Sequence, residues 1–175
     1  MKRSAKGTML AGGAALAISA TPAMPAAAAA SGSETFTGTV VFAAVPGTDT
    51  RTVISSVVVA KGVFRGVGRF VEVVPTDPAD VSQDDLVFPG GTMHLVSTLG
   101  NPVSFSLNPH NCLFSGTQQL SWDVTSGTGQ FAGETGSVTG TVSARALLAR
   151  NPDGSCSSTA LHEVDNFAES GTLSS

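Results

Sequence analysis

Residues 112–124 read CLFSGTQQLSWDV, and their side chains alternate between an apolar and a polar face with a period of two. The apolar face carries Cys112, Phe114, Leu120, Trp122 and Val124, and the polar face carries Ser115, Thr117, Gln119, Ser121 and Asp123. A helix would instead repeat its apolar positions every three or four residues. One dry and one wet face is typical of a strand in an antiparallel sheet or barrel.

The same alternation occurs on both sides of this strand. It places Phe36, Val40 and Phe42 on one face of Thr35–Ala43, and Val103, Phe105 and Leu107 on one face of Pro102–Asn108. Less regular β segments complete the set: Thr52–Ala60, Val63–Val74, Thr92–Thr98, Gly136–Ala149 and Ser158–Leu173. We therefore predict an all-β chain with eight strands, in which no window shows a sustained helical pattern.

The longest predicted connection is Pro75–Gly91, with at most a helical turn over Ala79–Asp85. It contains four acidic residues, Asp77, Asp80, Asp84 and Asp85. Carboxylate oxygens are the ligands that Ca²⁺ prefers, but the spacing does not fit an EF-hand. We predict a solvated acidic loop, with a Ca²⁺ site as the alternative.

The first 30 residues have the three parts of a secretory signal peptide. Lys2, Arg3 and Lys6 precede an apolar stretch from Met9 to Ala20, and a run of small residues ends at Ala30. We predict cleavage after Ala30, export by the general secretion route and an extracellular location. An uncleaved membrane anchor is the alternative, but the apolar stretch is shorter than the roughly 20 residues that span a bilayer. We expect no stable membrane insertion.

Export sets the redox environment of the two cysteines. Cys112 and Cys156 can form a disulfide outside the cytosol, whereas two separate buried thiols are the alternative. We predict the disulfide, because an exported protein gains nothing from stray reactive thiols. In the chain-entropy description, closing a loop of this size stabilises the fold by about 4 kcal/mol.

Composition excludes several classes of protein. Residues 31–175 carry 6 Lys and Arg against 13 Asp and Glu, a formal charge of −7. Nucleic-acid binding depends on neutralising phosphates, so we predict no nucleic-acid partner. The chain is 41% apolar and 13% charged, which excludes a disordered protein. Residues 31–175 are of the size of a single domain. The oligomeric state is left open.

The sequence contains no recognisable catalytic or metal-binding motif. His94, His110 and His162 are far apart, and no His-Glu-x-x-His or Gly-x-Ser-x-Gly pattern occurs. We predict no metal site, no cofactor and no assignable catalytic residue. The Gly-x-Gly-x-Phe repeats at 66–70 and 127–131 are not followed by a helical pattern. We therefore interpret their glycines as bends or close strand contacts and not as a dinucleotide site.

Two polar residues fall on predicted interior faces. Glu72 shares a face with Phe64, Phe70 and Val74, and Gln118 shares the face of Trp122 described above. A few polar groups on apolar walls are typical of a ligand pocket. We predict that Glu72 and Gln118 are ligand-binding residues and that burial raises the pKa of Glu72. The alternative is that neighbouring strands satisfy each group, or that each lies at a barrel mouth.

Residues 127–136, GTGQFAGETG, resemble the Gly-Thr-Gly-x-Phe-x-Gly-x-x-Gly turn of allene oxide cyclase-like and dirigent-like proteins, above all of exported bacterial members. The resemblance covers nearly all of residues 35–173 and implies a closed, eight-stranded antiparallel β-barrel with a central cavity. Plant members act on small apolar molecules or radicals in that cavity. Dirigent catalysis is associated with tyrosine, aspartate and arginine, and this chain has no tyrosine. No catalytic residue is therefore carried over.

Three functions follow as hypotheses. The leading one is a non-enzymatic secreted barrel that binds a small apolar molecule. The first alternative is a cyclase or isomerase that acts in the same cavity, with Glu72 as acid or base. The second alternative is a structural or surface-interaction protein with a filled barrel, which predicts no cavity of ligand size.

Overall fold

The computed structural model describes residues 31–48, 50–74 and 81–175, apart from the side chain of Val74. The predicted signal peptide, residues 1–30, lies outside the described residues. Eight strands and one short 3₁₀ helix follow one another: β1 (Ser31–Ala44), β2 (Arg51–Gly62), β3 (Arg65–Val74), β4 (Val81–Phe88), β5 (Gly91–Asn108), β6 (Leu113–Gly127), η1 (Gly129–Phe131), β7 (Thr135–Arg150) and β8 (Cys156–Ser174).

Each strand pairs antiparallel with the next, and β1 also pairs with β8, so that the sheet closes into a barrel. The prediction of eight antiparallel strands in an all-β chain is confirmed. Closure satisfies the hydrogen-bonding groups that a free sheet edge would expose. Within the described ranges, no helix is long and apolar enough to cross a membrane.

The predicted acidic loop is wrong in its second half, because Val81–Phe88 forms strand β4. Its side chains do alternate, with Ser82, Asp84, Leu86 and Phe88 on the interior face. Ser82 and Asp84 are polar because that part of the interior is a cavity. Polar residues at interior positions give the strand the composition of a solvated loop. The predicted helical turn over 79–85 is absent over its described part, residues 81–85.

Two predicted strands, Thr92–Thr98 and Pro102–Asn108, are one strand, β5. The intervening Gly-Asn-Pro is an irregularity within it, with register shifts on both sides of Pro102. The predicted dry face of the second segment is also wrong, since Val103, Phe105 and Leu107 are exposed. Strands β5 and β6 span 18 and 15 residues but β3 and β4 only 10 and 8, so the described part of β4 pairs with β5 only as far as Thr98.

One end of the barrel, which we call the packed end, is filled with aromatic rings. Phe64 lies 5.1 Å from Phe88 and 4.9 Å from Phe131, centroid to centroid, and also contacts Phe36. Helix η1 closes this end by burying Phe131. Gly68 makes room for the cluster, because a Cβ there would lie 2.6 Å from the ring of Phe88. This confirms the close strand contact predicted from the first Gly-x-Gly-x-Phe repeat.

Candidate functional site

The other end of the barrel, the open end, contains a cavity of about 250 Å³. Trp122 separates the two ends, because its indole lines the cavity and also packs 5.7 Å from the ring of Phe36. Phe105 lines the cavity as well and is 76% exposed, so the cavity reaches the surface at this residue.

The cavity has two chemically different sides. Strands β5 to β7 provide a side without charged residues, the apolar wall, which includes Leu99, Phe114, Leu120, Trp122 and Val142. Strands β2, β3, β4 and β8 provide the charged wall, which consists of Arg51, Glu72, Asp84, Glu163 and Asp165. Apolar side chains such as Phe42 and Phe70 lie between the charged ones.

Strand register explains why these charged side chains point inward. Glu72 on β3 lies directly opposite Asp84 on β4, and both share the face of the buried Leu86. On β8, Glu163 and Asp165 lie opposite Phe42 and Val40 of β1, whose side chains are buried. Directly opposed residues in an antiparallel pair share one face of the sheet, so all four carboxyl groups face the barrel interior.

Arg51 is already engaged by groups of the protein. Its guanidinium donates a hydrogen bond to Glu163 Oε2 and lies 4.2 Å above the centre of the Phe42 ring. Burial lowers the pKa of Arg51, but the combined attraction of Glu163, Asp165 and Glu72 outweighs burial and leaves the pKa above its ordinary value. The pair is a charge-assisted contact at the wall of a partly enclosed site.

Asp84 is the most deeply buried member of the charged wall, with 3% of its surface exposed. Its Oδ2 accepts hydrogen bonds from the hydroxyls of Ser82, at 2.9 Å, and Ser97. Its Oδ1 is buried and has no hydrogen-bond partner within the described part of the chain. Burial raises the pKa of Asp84, and the two hydroxyl donors counteract part of that effect.

Asp165 is suited to exchanging a proton near neutral pH. Burial and the negative charge of Glu163 raise its pKa to about 7, although Arg51 acts in the opposite direction. Its Oδ1 is a second buried acceptor without a hydrogen-bond donor among the described residues. A carboxyl group with such a pKa can act as an acid or as a base.

Both predicted ligand-binding residues line this cavity, on opposite sides of it. Burial raises the pKa of Glu72, in the predicted direction, and the nearby Arg51 lowers it in part. Gln118 Nε2 donates a hydrogen bond of 2.7 Å to the carbonyl oxygen of Gly100 on the neighbouring strand β5. This agrees with the alternative that a neighbouring strand satisfies this polar group. The role of Glu72 and Gln118 in ligand binding stays a prediction.

Four members of the charged wall were not predicted to line a cavity: Arg51, Asp84, Glu163 and Asp165. The sequence did contain a signal for the last two. Glu163 and Asp165 lie four and two residues before the buried Phe167, so the alternation of the strand places them on its inward face. Arg51 gave no such signal, because a β-bulge between Val41 and Phe42 shifts its register in β2.

The remaining candidate groups lie away from the cavity. His94 Nδ1 is 2.6 Å from Asp85 Oδ1, and both alternate with buried neighbours that face the interior, so this pair lies on the outer surface. Asp84 and Asp85 therefore point to opposite faces and cannot bind one Ca²⁺, while Asp77 and Asp80 lie outside the described residues. No group of three metal-ligating side chains occurs in the described ranges. His110 is exposed in a turn.

A disulfide joins Cys112 to Cys156, as predicted. It connects the turn between β5 and β6 to the start of β8. Arg150 ties the same two regions, because its guanidinium donates to the carbonyl oxygens of His110 and Gly154. The long hairpins of the open end are thus fixed to each other next to the cavity.

Taken together, this cavity offers an apolar surface for the body of a small molecule and carboxyl groups for a polar end. Comparison of the chain with models of known protein families, with curated proteins and with solved structures finds no match. Function must therefore be inferred from the chemistry of the cavity.

Proposed function

We propose that the protein binds a small, mainly apolar molecule in the cavity of the open end. The observation that carries this proposal is the apolar wall, which faces the five charged side chains across about 250 Å³. Ligand sites typically combine apolar walls with a few polar groups, and eight-stranded barrels have room for one small ligand. Pockets for drug-sized ligands span about 300–1,000 Å³, so the ligand we propose is smaller than a typical drug.

The presence of a cavity argues against a barrel that is filled throughout. The packed end is filled, with Phe36 and Phe131 almost wholly buried. The open end places small residues on the interior face of β6 and β7, where Gly116 and Ala144 line the cavity. Larger side chains at these two positions would have filled it.

An extracellular location and the resemblance to allene oxide cyclase-like and dirigent-like barrels belong to the same proposal. The Cys112–Cys156 disulfide supports the location, because disulfides persist in oxidising compartments. The closed ring of eight antiparallel strands with an internal cavity supports the resemblance. Sequencing the N-terminus of the protein recovered from its host's culture medium tests the location, and a protein that stays in the cells overturns it.

Native mass spectrometry tests the binding proposal. The full sequence is expressed in its own host, and the purified protein is weighed before and after organic extraction. We expect an added mass that extraction removes. Ala144→Phe fills the cavity and should abolish this mass, whereas Thr141→Phe, on the exposed face of the same strand, should keep it. A bare protein that also fails to bind any added small apolar compound would overturn the proposal.

An enzyme is the second candidate function, and Asp165 is the observation that favours it. A carboxyl group with a pKa of about 7 in a ligand cavity can move a proton, as a cyclase or isomerase requires. Once the bound molecule is identified, its conversion by the protein is measured. Asp165→Asn should then abolish turnover even when the molecule saturates the protein, and Glu72→Gln tests the role predicted for Glu72. Unchanged turnover in either variant excludes that residue as the acid or base.

A further inference from the structure

We propose that the ligand carries a protonated amine, which is attracted by the carboxylates of Asp84 and Asp165 in the cavity while its apolar body lies on the apolar wall. This inference rests on the proposed binding function and specifies the chemical class of the ligand.

The excess of carboxyl groups over cations in the cavity favours a cationic ligand. The charged wall contains four carboxyl groups, and Arg51 is the one cation among the described residues that line the cavity. Arg51 is engaged with Glu163 through a direct hydrogen bond. Glu72, Asp84 and Asp165 face the same space and form no ion pair with a described cation, although Arg51 attracts each of them at longer range. A cationic ligand would supply such a partner, whereas an anionic ligand would be repelled.

Two carboxylate oxygens of the charged wall lack a hydrogen-bond donor in the described part of the chain. Asp84 Oδ1 and Asp165 Oδ1 are buried and accept no hydrogen bond from the described residues, although such acceptors are costly to bury unpaired. Two serine hydroxyls fix the other oxygen of Asp84, so its carboxyl group is held in place before a ligand arrives. An ammonium group has three donors and no acceptor, so it can donate to a carboxylate oxygen of this kind without adding an unpaired acceptor.

The apolar wall, which faces these carboxylates, indicates the chemistry of the rest of the ligand. Leu120, Trp122 and Val142 line the cavity from strands without a charged residue in it. They suit an alkyl or aryl body, and burial of that body in the cavity is favourable in proportion to its apolar area. A simple hydrophilic amine would leave this wall unused, so the class that fits is an amine with an apolar body.

Three probes with the same alkyl chain test this inference: octylamine, octanol and octanoate, each kept below the concentration at which it aggregates. Trp122 is the single tryptophan of the chain and lines the cavity, so its fluorescence reports binding of these transparent probes. At pH 8 we expect octylamine to bind at least about tenfold more tightly than octanol, and octanoate to bind most weakly.

Variants locate the effect. Asp84→Asn keeps an oxygen for the two serine hydroxyls and removes the charge, so octylamine affinity should fall about tenfold while octanol affinity stays unchanged. Asp123→Asn, on the exposed outer face of β6, is the control and should change neither. If circular dichroism shows that the Asp84 variant does not fold, Asp165→Asn provides the same comparison.

The outcomes separate the two proposals. Octanol binding as tightly as octylamine, or an octylamine preference that survives both aspartate variants, overturns the amine inference and leaves the binding function standing. If none of the three probes changes the fluorescence or adds mass in native mass spectrometry, both proposals fail.

Discussion

The two ends of this barrel use the same alternation of inward and outward side chains but fill their interiors differently. At the packed end, interior positions carry large rings such as Phe36, Phe64 and Phe131, which contact one another. At the open end, charged and small residues occupy several interior positions among the apolar ones, and a cavity remains. The strand pattern thus determines which side chains point inward, whereas their size and charge determine whether the interior becomes a core or a site.

A buried carboxyl group outside the cavity, that of Glu169, differs in its hydrogen bonding from two that line the cavity. Glu169 lies on the interior face of β8, opposite Phe36, and neither of its carboxyl oxygens has a partner among the described residues. In the cavity, Asp84 and Glu163 each accept hydrogen bonds from side chains. Burial alone raises the pKa of Glu169 to about 9, so this group is neutral at pH 7.

The largest expected difference comes from making one substitution at both ends. Phe36→Ala removes a ring that is 1% exposed and should lower the free energy of unfolding by about 3–5 kcal/mol. Phe114→Ala removes a half-buried ring that already borders the cavity, and should cost less than about 2 kcal/mol. Urea unfolding of both variants measures the two losses. Equal losses would show that the open end is packed as tightly as the other.

Glu169 should make the fold less stable as the pH rises. Its pKa in the folded state, about 9, lies above its ordinary value of 4.5. Its contribution to stability is therefore fully present below about pH 4.5 and is lost as the pH rises through about 9. The free energy of unfolding should fall by up to about 1.4 kcal/mol per pH unit within this window.

The comparison with Glu169→Gln isolates this effect. The variant should lose much of the pH dependence between pH 7 and 8.5, a range above the pKa of Asp165. Asp123→Asn, which changes an exposed carboxyl group on the outer face, should keep the full slope. Urea unfolding at several pH values measures the slopes, and parallel curves for all three proteins would show that Glu169 is not held neutral.

Sequence patterns predicted the packed end better than the open end. The alternation placed Phe36 and Phe64 on interior faces, and the two rings pack against each other in the aromatic cluster of the packed end. It also placed Glu72 and Gln118 at the cavity, because an isolated polar residue on an apolar face stands out. The eight strands were counted correctly only because one missed strand, β4, was offset by the division of β5 into two.

The errors have a common physical cause. A strand that lines a polar cavity carries polar residues on both faces, as the inward Asp84 and the outward Asp85 show on β4, so its alternation resembles a solvated loop. The bulges in β2 and β5 shift register, which hid the inward direction of Arg51 and the exposure of Phe105. Residues that build a site thus weaken the pattern from which the strand would be predicted.

Removal of the disulfide should act mainly on the open end. Replacing Cys112 and Cys156 together by serine should lower the free energy of unfolding by about 4 kcal/mol, because the unfolded chain regains the freedom of a 44-residue loop. Amide hydrogen exchange should accelerate near the turns that the disulfide joins more than around Phe131 at the packed end. Wild-type protein under reducing conditions should behave in the same way. Uniform acceleration throughout the barrel would show that the two ends unfold as one unit.

The smallest expected change in stability is at the mouth of the cavity. Phe105 is 76% exposed, so Phe105→Ser should change the free energy of unfolding by less than about 0.5 kcal/mol. Because this ring also lines the cavity, the affinity for octanol should fall, whereas Val67→Ser, which removes another exposed apolar side chain away from the cavity, should leave it unchanged. Urea unfolding and Trp122 fluorescence measure the two quantities. An unchanged octanol affinity would show that the ligand is held entirely below Phe105, between the apolar and charged walls. A loss of stability above about 1 kcal/mol would instead show that Phe105 packs as a core residue and that the barrel is less open at this end than its exposure indicates.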